Sequence, residues 1–271
     1  PAFHAGNRSS ILRGVTSMRH DKKSSEKVYI YGRNALVEAL ENAPQVIKRV
    51  HLSPEVADAR LREALKKSGI PVQIMDAGEV GRTVGEDKTH QGVIAVIDAG
   101  ALMRPFDEFL RELEPTKGTA LAVLGEVQDP HNVGAIIRSA AAFGLAGVLI
   151  PEHNQAQVTG TVVKTSAGMA FRIPLVSIGN VNTTLRDLKE KGFWVYGLSM
   201  DGNPLPKETF DAPAVFVLGN EGAGIREKTL ETCDIALSIP MHPRCESLNV
   251  AVSAGVVFNA WSGQHPDSLK A

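Results

Sequence analysis

Five short apolar runs lie between residues 120 and 221, and helical patterns separate the first four. The runs are ALAVLGEV (120–127), GVLIPE (147–152), RIPLVSI (172–178), FWVYGLS (193–199) and AVFVLGNE (214–221). Helical spacing covers Val133 to Phe143, closed by Gly144, then roughly 156–168, then Val181 to Lys191. A loop, DGNPLPKETFDAP, leads to the fifth run. Near-continuous apolar strands alternating with helices require a largely parallel sheet covered on both faces. Trp194, Tyr196 and Phe216 fall on these strands and are expected to pack in the core. Ligands of such sheets collect beyond the carboxyl ends of the strands. Three polar turns belong there: Glu126 to Asn132, Gly219 to Gly224, and Ile239 to Asn249.

Each turn carries groups suited to holding a polar ligand. In the first, Asn132 is placed to cap the helix that follows, and Gly134 permits close packing against its backbone. Arg138 interrupts an otherwise small, apolar helix. Its charge must either reach solvent or meet an anion, because burying it alone is costly. In the second, LGNEGAG spaces its glycines opposite to the dinucleotide fingerprint, and no Lys-Ser/Thr follows, so a nicotinamide or ATP loop is disfavoured. Those glycines still let a ligand approach the backbone, and Glu221 projects from the loop. In the third, Ser247 is the expected N-cap of the last helix, with Asn249 beside it.

Ahead of this region, residues 28–98 read as a small αβ unit. VYIYG is a strand, RNALVEAL a short helix and VIKRVHLS a strand. Glu55 to Lys67 follows as a helix, VQIMD as a strand, Ala77 to Val84 as a weaker helix, and GVIAVID as the closing strand. Gly32-Arg33-Asn34 and His90-Gln91-Gly92 are polar clusters at element ends, where turns, caps and binding residues all occur. Residues 99–117 read as a linker with a short helix around Phe106, Phe109, Leu110 and Leu113. The basic, Ser- and Gly-rich residues 1–27 read as a disordered tail in which Met18 is a candidate start, and 266–271 as a second tail.

Net charge is −1, so any polyanion footprint is confined to patches. Two cysteines, Cys233 and Cys245, make no disulfide framework and favour a reducing, cytoplasmic setting. No apolar run approaches membrane-span length, so no membrane role is expected. Of His131, His242, Cys233 and Cys245, only His242 and Cys245 are close in sequence, an incomplete pattern for zinc; no metal is expected. Cys245 lacks an evident catalytic partner and reads as an incidental thiol.

Taken together, EVQDPHNVGAIIRSA, VLGNEGAG and IPMHPRCESLNVAVSAG resemble the SpoU (TrmH-like) branch of the SPOUT RNA methyltransferases. The matching residues are Asn132, Gly134, Arg138, Glu221, Ser247 and Asn249, over roughly 118–262. Upstream, YGRNALVEAL and THQGVIAVI resemble the substrate-binding domain of bacterial ribosomal guanosine 2′-O-methyltransferases, which is similar to ribosomal proteins that bind kinked RNA.

The resemblance implies an α/β methyltransferase domain at 118–265, ending in a deep trefoil knot and preceded by an RNA-binding αβ domain. It implies a homodimer with active-site residues contributed across the interface, and S-adenosylmethionine as cofactor. The cofactor would lie against Leu198, Leu218, Gly219, Ile239, Met241 and Leu248, with Gly222 giving clearance. Arg138, Asn132, Glu221, Ser247 and Asn249 would form the catalytic set, and Arg33, Asn34, His90 and Gln91 would contact RNA. The implied reaction is ribose 2′-O-methylation, favouring a guanosine of large-subunit ribosomal RNA. Transfer RNA is the rival substrate, with resistance methylation of ribosomal RNA a third case. A silent RNA-binding or assembly factor on the same fold is the alternative from a different class.

Overall fold

A computed structural model of the chain describes residues 27–56, 58–75 and 92–270. The first unit is a four-stranded sheet of order β1-β4-β2-β3, from β1 (Lys27–Tyr31), β2 (Ile47–Leu52), β3 (Val72–Ile74) and β4 (Val93–Asp98). β4 runs antiparallel to both β1 and β2, whereas β3 pairs parallel to β2. Helix α1 (Arg33–Asn42) buries Leu36 and Ala39; α2 (Ala59–Ser68) buries Leu61 and Leu65. Helix α2 begins at Ala59, later than the expected Glu55, because Asp58 is its cap and accepts the Leu61 N–H at 3.1 Å. It ends at Gly69, whose φ of 69° is the left-handed conformation that glycine reaches without strain. The helix expected over Ala77 to Val84 lies outside the described residues.

The second unit is a seven-stranded, wholly parallel sheet of order β11-β9-β10-β6-β7-β8-β5. Its strands are β5 (Met103–Pro105), β6 (Ala120–Leu124), β7 (Gly147–Pro151), β8 (Leu175–Ile178), β9 (Trp194–Pro204), β10 (Ala214–Leu218) and β11 (Ile235–Ser238). Its helices are α3 (Phe106–Glu112), α4 (Pro130–Ala142), α5 (Gly160–Thr165), α6 (Val181–Glu190), α7 (Glu227–Leu230) and α8 (Val250–Gln264). Strands β6, β7 and β10 are buried at every position, as two-sided cover demands. Alternation splits their side chains cleanly. Leu121, Val123, Val215 and Val217 join Phe109, Leu185 and Leu188 on one face. Ala120, Ala122, Phe216 and Leu218 join Ile136, Ile137, Phe258 and Trp261 on the other.

Several details differ from the sequence expectation. The stretch read as a linker contributes β5, the edge strand beside β8. Strand β9 continues into the expected loop as far as Pro204, and after a bulge its end pairs with Leu237 and Ser238. Helix α5 is shorter than the expected 156–168. Trp194 is not core: at the first position of β9 it stays 49% exposed, while Tyr196 and Phe216 are buried. The expected C-terminal tail forms a 3-10 turn, Pro266–Leu269, against Gly144.

The two units pack directly on each other. Arg172 donates Nε–H and Nη2–H to the Glu38 carboxylate of α1 at 2.6 and 3.1 Å, and Gly160 lies against the Tyr29 carbonyl of β1. Among the described residues no helix is long and apolar enough to cross a membrane.

Candidate active site

Three turns meet at the carboxyl ends of β6, β10 and β11. Helix α4 starts one turn earlier than expected: Asp129 is the cap, accepting the His131 N–H at 2.8 Å, and Pro130 occupies the first helical position. Asn132 is therefore not the cap. Its side chain is free to face across to the neighbouring turn while remaining only 9% exposed. The cap of α8 is Asn249 rather than Ser247; Asn249 Oδ1 accepts the Ala251 and Val252 N–H groups at 2.9 and 3.3 Å.

These shifted caps make a continuous network. Glu221 Oε1 accepts from the Asp129 N–H and from Asn132 Nδ2, each at 3.0 Å, and both carboxylate oxygens lie near the Gln128 N–H at 3.1 and 3.2 Å. Asn132 Oδ1 in turn accepts from Asn249 Nδ2 at 2.9 Å. Glu221, Asn132 and Asn249, distant in sequence, thus tie all three turns together. Burial pushes the Glu221 carboxyl up, but the donors from Asn132, Asp129 and Gln128 outweigh that and hold its pKa below the ordinary value.

The sign of the consequence is fixed. A carboxyl with a lowered folded pKa stabilises the fold above its unfolded pKa, and that stability is lost as pH falls through the folded value. Glu221→Gln should therefore unfold at a lower temperature than wild type at pH 7, and the gap should close as the medium is acidified below the normal glutamate range. Thermal unfolding followed across pH checks this. A gap that persists unchanged in acid would contradict it.

The loop carrying Glu221 is built by Asn220, which the sequence reading passed over. Its Oδ1 accepts the Gly222 and Ala223 N–H groups at 2.9 and 3.0 Å, and its Nδ2 donates to the Glu126 carbonyl at 2.9 Å. Its backbone exchanges bonds with Gly224 at 2.9 and 3.0 Å, closing a tight turn. An asparagine ahead of two glycines is the available sequence signal for such a turn.

Between this loop, β9 and the segment before α8 lies a cleft of about 390 Å³. Leu198, Leu218, Gly219, Gly222, Ile239, Met241 and Leu248 all line it, with Glu221 and Ser247 among its walls. Sequence reasoning missed Ser199, Asp201 and Ser253, which also line it. Its size and its mix of aliphatic side chains and loop backbone suit a small cofactor with an aromatic ring.

Two expected members stand apart from the network. Arg138 is exposed, is absent from the cleft walls, and has no hydrogen bond or ion pair among the described residues. The cost of burying its charge does not arise. Ser247 is exposed; its carbonyl accepts from Cys245 Sγ at 3.1 Å.

In the first unit, the Gly32 N–H donates to the Val93 carbonyl at 3.0 Å, which brings the GRN segment beside Gly92. Arg33 pairs with Asp58 at 2.9 Å, and Asn34 is exposed. Arg33, Asp58, Ser53 and Gly92 line a hollow of about 540 Å³ there. His90 and Gln91 lie outside the described residues.

Among the described residues, no three His, Cys, Asp or Glu side chains converge as a metal-ligand group. The two thiols differ sharply. Burial, helped by the neighbouring Asp234 carboxylate and partly offset by Lys189, pushes Cys233 up to about 12, whereas Cys245 is exposed. Iodoacetamide near pH 8 should label one thiol per native chain, at Cys245, and reach Cys233 only after unfolding; peptide mapping gives the answer.

Comparison with known proteins follows the same lines. Residues 120–259 match the model of the SpoU rRNA Methylase family, and residues 29–101 match RNA 2′-O ribose methyltransferase substrate binding. The 23S rRNA (guanosine-2′-O-)-methyltransferase RlmB of Neisseria meningitidis serogroup B is 37% identical over 234 residues, 85% of this chain and 92% of that protein. A putative RNA methyltransferase of the TrmH family from Porphyromonas gingivalis is 27% identical, with a TM-score of 0.69 over 87% of this chain and 89% of that one. The SpoU methyltransferase AviRb from Streptomyces viridochromogenes, solved with AdoMet, shares the fold at 20% identity, with a TM-score of 0.75 over 89% of this chain and 91% of that one.

Proposed function

Since this chain belongs to the SpoU rRNA methylase family, we propose that it transfers a methyl group from S-adenosylmethionine to the ribose 2′-hydroxyl of a guanosine in 23S ribosomal RNA. The observation that carries the reading is the Glu221–Asn132–Asn249 network, set at a cleft that all seven expected cofactor residues line. Residues 118–265 are the methyltransferase domain, and 28–98 bind RNA through Arg33, Asn34, His90 and Gln91. A ribosomal substrate places the protein in the cytoplasm.

When bound, the cofactor supplies a methyl group already activated by its positive sulfur. The protein therefore has mainly to orient the attacking hydroxyl. Leu198, Leu218, Ile239, Met241 and Leu248 would flank the adenine, while Gly219 and Gly222 leave room at the backbone. Glu221 already accepts from four groups, the Gln128 and Asp129 N–H and the Asn132 and Asn220 side-chain amides, and is held below its ordinary pKa, which suits it to holding the loops rather than to taking a proton. Ser247 exposes its hydroxyl at the cleft, where it can bond the nucleotide. Arg138 binds the phosphate beside the target ribose; a planar fork of N–H donors with no acceptor suits a phosphate better than the role of base.

The separation of Arg138 from the cleft supports a homodimer in which it serves the partner's site. On α8, next to α4, Val252 and Val256 are 52% and 38% exposed, an apolar surface beside the helix that bears Arg138. The path of the chain supports a trefoil knot. It leaves β11 at one edge of the sheet and returns to place α8 against α4.

Transfer of labelled methyl to unmodified 23S ribosomal RNA and to unmodified transfer RNA, with nucleoside analysis, tests the reading. Labelled 2′-O-methylguanosine from ribosomal RNA alone is the expected result. Label in transfer RNA alone would reassign the substrate. Cofactor binding without transfer to RNA or to ribosomal precursor particles would favour a silent RNA-binding factor.

A further inference from the structure

We propose that Gln155 is a positioning residue, whose buried side-chain amide pairs with the backbone of Val127 and so aims the Gln128 and Asp129 N–H groups at Glu221. Gln155 is 7% exposed, and its Oε1 accepts the Val127 N–H while its Nε2 donates to the Val127 carbonyl, each at 2.8 Å. The side chain thus substitutes for a neighbouring strand. The Ala156 N–H adds a second donor to the same carbonyl at 3.0 Å, and Gln128 Nε2 donates to the Asn154 carbonyl at 2.7 Å.

The turn needs this support. Glu126 sits at φ 70°, a left-handed conformation rarely adopted by a residue with a side chain, and Val127 is fully buried. From the opposite side, Asn220 bonds the Glu126 carbonyl and Arg226 pairs with the Glu126 carboxylate. Gln155 holds the residue between this clamp and the amides that reach Glu221. Its own loop is anchored to β8, where the Glu152 N–H donates to the Ile178 carbonyl at 2.9 Å and Ser177 bonds the Glu152 carboxylate at 3.0 Å.

No other side chain provides both bonds at this reach. Asparagine is one methylene short. Glutamate keeps the acceptor but sets a carboxylate against the Val127 carbonyl. Methionine fills the space, leaves the buried Val127 N–H without a partner and takes from the carbonyl one of its two donors. Charged groups on the elements that meet at Glu221 are Glu126, Asp129 and His131 on the turn and α4, Arg226 between its loop and α7, Asp201 of β9, and Arg244 and Glu246 in the segment before α8. A change in Glu221 titration on altering Gln155 therefore reports on the turn, since none of these groups is changed.

The link to catalysis rests on the methyltransferase reading above, so the test has an arm that does not use methyl transfer. In the uncharged variants Gln155→Met and Gln155→Asn, the Glu221 carboxyl is titrated by NMR, with Glu221→Gln identifying its signal; kcat, KM and cofactor affinity are measured in parallel. The expected result is an upward move of the Glu221 titration, a fall in kcat of about tenfold or more, and cofactor affinity within about threefold of wild type. Gln155→Asn keeps the amide and shortens its reach, so it remains informative if the methionine variant does not fold. An unmoved Glu221 titration in a folded variant overturns the proposal, whatever the activity. A moved titration with unchanged kcat confines Gln155 to structure and overturns its catalytic link. If wild type itself transfers no methyl group, the functional reading fails while the titration still decides whether Gln155 positions Glu221.

Discussion

Replacing Arg138 with alanine should lower methyl transfer by about 10²-fold or more, leaving cofactor affinity and thermal unfolding close to wild type. The side chain is exposed, has no partner among the described residues and touches neither the Glu221 network nor the cleft. Its removal therefore takes nothing from the fold, and any lost activity must come from the substrate side. Arg138→Lys should fall between the two, since it keeps the charge but not the paired donors that grip a phosphate. Transfer assays with calorimetric cofactor titration separate these effects. Near-normal turnover in the alanine variant would sink the phosphate role.

The second large effect is expected at Gly219. A Cβ there would fall on the backbone of Gly224 and Ile225, where no flexible side chain can yield. The loop is already closed by the Asn220–Gly224 pair and held to the first turn by the Gly125 N–H donating to the Leu218 carbonyl at 2.6 Å. Gly219→Ala should therefore open the loop, cost about 1–3 kcal/mol in stability, and weaken cofactor binding by about 10²-fold. Gly222→Ala is the informative contrast. A Cβ there meets only Asn220 Oδ1, at 3.7 Å, an ordinary contact. Unfolding should then match wild type while cofactor affinity falls, because only clearance in the cleft is lost. Equal behaviour of the two variants would show that the loop, not the cleft, sets affinity.

Arg138→Ala and Gly219→Ala together also test the dimer. If Arg138 serves the partner's cleft, co-assembled Arg138→Ala and Gly219→Ala chains should recover about a quarter of wild-type activity, because half the dimers then hold one intact site. If Arg138 serves its own chain, the mixture should stay inactive.

Much of this was legible in the chain itself. Apolar runs of five residues leave a strand no choice but burial on both faces, so the parallel sheet and its carboxyl-end turns follow from β6, β7 and β10 alone. The strand pattern placed a ligand beyond the strand ends, but the seven residues that line the cleft were named only through the family resemblance of the three turns. Which polar side chain caps which helix was not legible. Asp129 and Asn132 are both good caps by type, and so are Ser247 and Asn249; type alone cannot rank them, and only the first pair has a local signal, Pro130 after Asp129.

The tertiary structure decided what the released side chain does. With Asp129 as the cap, Asn132 turns to Glu221, 89 residues away in sequence. Gln155 was invisible for the same reason, since its partner is the backbone of Val127 and a backbone group leaves no mark in a sequence. Local sequence sets where strands, turns and clefts form, because burial and backbone geometry act over a few residues. Hydrogen-bond partners are chosen only when distant turns are brought together, and there the unsatisfied buried donor, not the local preference, sets the outcome.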